Sequence, residues 1–150
     1  MTLKALLPLT LSLLFLFGVG WLLPLQAASP GPLEIPATAN WKITFSGDKE
    51  DVDYNLRKTV LETSSCTLTH VSKPDKYNID EIAKAQGKKV EPFSGKTFQG
   101  KAVRNSESAV GLYISFTITD GKETWYGIFA GPEGDWAELR KILGETKPRS

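Results

Sequence analysis

Leu112, Ile114, Phe116 and Ile118 alternate without a break with Tyr113, Ser115, Thr117 and Thr119. This is the two-residue period of a strand with one buried face. Asp120-Gly121 follows, a dipeptide that favours a tight hairpin because both positions tolerate positive φ. With a two-residue loop there, Phe116 is expected opposite Trp125, and Leu112 opposite Phe129, on the same face as Ile114 and Ile118. Tyr113 and Tyr126 then share the opposite face, which meets a helix in a sandwich or forms a binding surface on an open sheet. Gly131, Pro132 and Gly134 close the return strand. Asp135, with Glu138 three residues on, is expected to cap a final helix that ends before Gly144. Trp136, Leu139, Ile142 and Leu143 give that helix one apolar side.

Upstream, Trp41, Ile43 and Phe45 alternate with Lys42 and Thr44, and Gly47-Asp48 turns the chain. Residues 48–58 fit either period, since Val52, Tyr54 and Leu56 alternate while Val52, Leu56 and Val60 also make a helical stripe. Thr59 to Val71, rich in Thr, Val, Leu and Ser, reads as a strand with a turn or bulge at Ser64-Ser65. Asn78 to Gln86 reads as a short helix with Asn78 as cap, Glu81 completing a capping box and Gly87 at the left-handed exit. Its apolar face is Ile79, Ile82 and Ala83. Residues 92–96 read as a loop, Thr97 to Asn105 as a strand weakened by Gly100, and Asn105 to Ser108 as a polar turn. Together these predict one α+β domain over residues 41–146, with a mostly antiparallel sheet and two short helices in a sandwich-like arrangement.

The first 28 residues change the setting. Lys4 is the only charge before a run from Ala5 to Leu25 that has none, and Gln26-Ala27-Ala28-Ser29 ends in small residues. That is a signal peptide, cut after Ala27 or Ala28, or else an uncleaved anchor. No cysteine near the exit allows an acylated cut. Either way the domain is expected outside the cytoplasm, in a periplasm, a lumen or the extracellular space. Residues 29–40 hold three prolines and read as a linker or extended arm, with order beginning at Trp41.

Without Lys4, 17 basic residues balance 17 acidic ones, and this neutrality argues against a nucleic-acid partner. Cys66 is the single cysteine and His70 the single histidine. On one strand they share a face but stand ~13 Å apart, too far for a nucleophile and its base. A packed thiol and a half-exposed imidazole are expected, and the pair cannot build a closed zinc site. Asp51, Asp53, Asn55, Thr59 and Glu62 have the oxygen spacing of a calcium loop, but Leu56 stands where the turn needs glycine. The glycines at 95 and 100 lack the Lys-Ser/Thr of a phosphate loop, and no nucleophile-elbow motif accompanies His70. No catalytic residue, metal or cofactor is assigned, although 17 acids leave room for a carboxylate pair.

The charge pattern carries more. Lys84, Lys88, Lys89, Lys96, Lys101 and Arg104 fall in a segment with only one acid, Glu91. With Tyr113 and Tyr126 they are the candidate binding residues, fitted to an acidic protein surface, a membrane complex or lipid headgroups. A strand, Asp120-Gly121-Lys122, a second strand, Ala130-Gly131, and Trp136 opening the last helix together resemble the PsbP-like family over Gly111 to Ser150. That family comprises extrinsic lumenal proteins of photosystem II and bacterial relatives. The resemblance implies an α/β/α sandwich and a non-enzymatic accessory protein on a membrane complex. The functional expectation is an exported accessory or binding protein at an extracytoplasmic membrane face. A carrier of small apolar ligands and a small carboxylate-based hydrolase are the alternatives.

Overall fold

A computed structural model describes residues 29–47, 53–73, 77–109 and 111–150. In chain order the elements are β1 (Leu33–Glu34), β2 (Trp41–Ser46), β3 (Asp53–Lys58), β4 (Ser65–His70), α1 (Ile79–Gln86), β5 (Glu91–Ser94), β6 (Gln99–Ser108), β7 (Gly111–Thr119), β8 (Thr124–Gly131), α2 (Glu133–Glu145) and β9 (Lys147–Pro148). Among the described residues, β2 to β8 form one antiparallel sheet in the order β2-β3-β4-β8-β7-β6-β5, and β1 pairs with β9 apart from it. The α+β sandwich read from the periodicity is the fold. The leader expected over residues 1–28 lies outside the described residues.

Alternation decides the two faces. Tyr54, Leu56, Cys66, Leu68, Ile114, Phe116, Ile118, Trp125 and Phe129 all point to one face and are buried there. On that face α2 lays Trp136, Leu139, Ile142 and Leu143. Trp136 is fully buried, with the rings of Phe93, Phe116 and Phe129 at 5.3–5.9 Å between centroids. On the opposite face α1 packs Ile79 and Ala83 on Val103. Asn78 caps α1 by accepting N–H bonds from Asp80 and Glu81, and Gly87 takes the left-handed exit at φ 65°.

Several local expectations are corrected. The β7–β8 hairpin pairs Ile118 with Trp125, Ile114 with Phe129 and Phe116 with Gly127, a shift of two residues. Asp120 N–H donates to Glu123 O, so the turn centres on Gly121-Lys122. The Asp120 carboxylate accepts from the N–H groups of Glu123 and Lys122, and these bonds hold its pKa below the usual value. A shift of two preserves parity, so the predicted core face stands. Asp135 is not the cap of α2. Pro132 occupies that position, and Asp135 lies in the first turn, with Gly144 inside the helix. Residues 92–96 are not all loop, for β5 runs to Ser94 as the sheet's edge, where Pro92 leaves no ladder donor missing. Residues 105–108 continue β6 past a bulge between Arg104 and Ser106. Conversely, residues 59–64 are a loop, with Leu61 and Glu62 at positive φ.

The proline-rich stretch is no free linker. Leu33 and Ile35 are buried in the main core. Tyr54 Oη donates to Pro30 O (2.7 Å) and accepts from Leu33 N–H (2.9 Å), and Ser29 Oγ accepts from Ile35 N–H. Arg149 closes the other side, its Nε–H donating to Gly31 O at 2.8 Å. Apolar side chains two apart let the arm bury one edge, which outweighs the extended bias of its prolines. The described core thus draws on the arm as well as on the sheet and α2.

Candidate functional site

The half of the outer face over β6, β7 and β8 belongs to α1. Tyr77 stacks on Tyr126 with centroids 4.4 Å apart, and Tyr126 Oη donates to Ser115 Oγ at 3.1 Å. Of the two tyrosines singled out by parity, Tyr126 thus meets the helix side while Tyr113 stands exposed. A depression of about 540 Å³ lies beside the start of α1, lined by Tyr77, Asp80, Gln99, Lys101, Thr117 and Thr124 among others. The Lys101–Asp80 ion pair at 2.7 Å is among its walls, and Ile79, Pro92 and Phe93 give it an apolar part.

The six basic residues of the 84–104 segment do not form one patch. Lys101 is held by Asp80, and Lys96 pairs with Glu145 at the end of α2. Arg104 faces the α2 side, where Glu133 and Glu91 bind its guanidinium and raise its pKa further, with Glu107 at 3.3 Å. Lys88 Nζ donates to Asn105 O at 3.3 Å. Only Lys84, Lys88 and Lys89 gather, at the exposed end of α1.

The acids of α2 are likewise engaged. Lys58 reaches Asp135 at 3.0 Å and also binds Glu138, while Ser64 Oγ donates to Asp135 at 2.5 Å. The bond from Lys58 holds the Glu138 carboxyl below its usual range. Burial pushes the other way at Asp135, but the bonds from Ser64 and Lys58 outweigh it and its pKa is also lowered. Cys66 is buried in the core, and burial pushes its thiol well up. His70 lies against the Glu123 carboxylate and edge-on to Trp125. Asp53 and Asn55 lie in extended β3, with Thr59 and Glu62 beyond its end, so the segment does not wrap around a centre as a calcium loop does. Asp51 lies outside the described residues.

Among the described residues no helix packs on the other half of the outer face, over β2, β3 and β4. Lys42 stands directly opposite Arg57, and among the described residues neither is in an ion pair. Like charges at opposed strand positions destabilise a sheet. With Thr44, Asn55, Thr59 and Glu62 they line a depression of about 420 Å³. The cross-strand register carries the row on through Ser65 and Ala130 to Tyr113. Sequence reasoning missed Lys42 and Arg57 because their pairing exists only once β3 is a strand. Its one available signal was parity: Lys42 alternates with Trp41 and Ile43, and Arg57 follows Leu56.

These features define an antiparallel α+β sandwich with a helix on each face and a half-open, partly basic outer surface. The chain matches no protein-family model and no curated protein.

Proposed function

We propose that this is a non-enzymatic binding protein that works at an extracytoplasmic membrane face, docking the open half of its sheet on an acidic surface there. The observation that carries this reading is the Lys42–Arg57 pair, two cations set opposite each other without a carboxylate partner among the described residues. An acidic partner relieves that repulsion. The leader pattern of residues 1–28 and the resemblance of the last hairpin and helix to PsbP-like proteins support the location. The carrier alternative would use the depression at the start of α1, where Ile79, Pro92 and Phe93 form part of the wall, but the Lys101–Asp80 ion pair and Thr117, Thr119 and Thr124 share that wall. The hydrolase alternative wants free paired carboxylates, whereas Asp135 and Glu138 share Lys58.

Residues 29–150 incubated with native membranes test the reading. Retention at low salt and release at high salt are expected. Lys42→Glu/Arg57→Glu should abolish retention, and Lys84→Glu/Lys89→Glu should leave it intact. No retention at either salt would sink the proposal.

A further inference from the structure

The large apolar side chains that stand exposed among the described residues are Val60, Leu61 and Tyr113, at 63%, 86% and 43% exposure. All three fall at one end of the sheet, where β3 passes into β4 and β6 into β7. Leu61 and Glu62 are held at φ 64° and 45°, a region that bulky residues enter only under local constraint. The constraint is visible at the base of the loop. Lys58 N–H donates to Ser64 O, Thr59 N–H to Asn40 O, and Ser64 Oγ to Asp135. So anchored, the loop keeps Leu61 in solvent instead of folding it back.

The same end carries the transverse row Lys42, Arg57, Ser65, Ala130, Tyr113. At ~4.8 Å per strand it spans ~19 Å. Two cations without an ion-pair partner among the described residues stand at one end of the row, a tyrosine at the other, small side chains between, and an apolar tip beyond. Glu62 is the one acid in the loop. An acidic protein would answer the cations but gives no role to a leucine held in water. An anionic bilayer answers both, because cations and tyrosine suit the headgroup layer and aliphatic side chains the layer beneath.

We propose that the loop of residues 59–64 inserts Val60 and Leu61 into the interface of an anionic bilayer, with Lys42 and Arg57 on headgroup phosphates and Tyr113 at the same level. The proposal rests on the membrane-face reading and names lipid as the acidic surface.

Residues 29–150 are co-sedimented with phosphatidylcholine vesicles, with and without about one-third phosphatidylglycerol. A Leu61→Trp variant reports insertion, since Trp41, Trp125 and Trp136 are at most 3% exposed and their emission is insulated from solvent. Binding to the anionic vesicles alone is expected, with a blue shift of the Leu61→Trp emission. Lys42→Gln/Arg57→Gln should lower the partition coefficient by roughly 30-fold. Val60→Ser/Leu61→Ser should lower it by at least about tenfold with an unchanged melting curve. Lack of binding to anionic vesicles, binding without a blue shift, or binding that both double variants leave unaltered would overturn the inference. Retention on native membranes without vesicle binding would remove the lipid inference and keep the docking reading; loss of both would remove the two together.

Discussion

At Gly127 the smallest residue sits at the centre of the core face. A Cβ there would lie 2.1 Å from Phe116 Cζ, and the equivalent atom on Gly100 would lie 2.2 Å from Phe93 Cζ. Both glycines make room for a ring from the neighbouring strand, and those two rings are part of the shell around Trp136. Neither glycine has a positive φ, so the requirement is space and not backbone freedom. Gly127→Ala is therefore expected to cost about 1–3 kcal/mol of overpacking, read as a lower urea midpoint with an unchanged slope. The reading of Gly100 as a weak point in a strand missed this, because the partner ring comes from residues read as loop.

Lys58 ties β3 to the first two turns of α2, and the clasp makes stability depend on pH. Asp135 and Glu138 have lowered pKa values in the folded chain. Their contribution is complete above the ordinary carboxylate range of ~4 and is lost as the pH falls through the lowered values. Lys58 is raised, chiefly by its bond to Glu138, so its share is present below the ordinary lysine range and is lost only as the pH climbs through the higher folded value. Lys58→Met should lower the urea midpoint most near neutrality, with the gap to the parent protein closing in acid. A gap that stays constant with pH would mean that the clasp contributes packing alone. Elements of this kind were partly legible beforehand. The apolar side of α2, the cap of α1 and the parity of β7 and β8 follow from local spacing. The true start of α2, the register of the last hairpin and edge strand β5 do not, because Asp135 is drawn off by Lys58 and Ser64, and Phe93 by the ring cluster around Trp136. The open basic pair was illegible for the same reason, since it is made by the register of two strands distant from the segment with the most lysines.

Across the whole molecule, one sheet separates an apolar layer under α2 from a half-covered outer face, and the two ends of the described chain meet. Leu33 pairs with Pro148 and Glu34 with Lys147, and the Lys147–Glu34 ion pair at 3.2 Å lies alongside. Leu33→Ala should cost about 2–5 kcal/mol, since it empties a fully buried site. Combining it with Arg149→Ala should cost less than the sum of the two singles, because both act on the same joint. Strict additivity in thermal melts would show that the arm and the C-terminal strand dock independently. The joint has a mechanical direction as well. Pro32 and Arg149 leave the antiparallel pair at the same end, so tension applied through them would load its hydrogen bonds one after another, as a zip is opened, and not all at once in shear. A seam that resists heat through burial would thus part under small force, and a pulling experiment on those two ends should see it release as an early, low-force step before the seven-stranded sheet gives way.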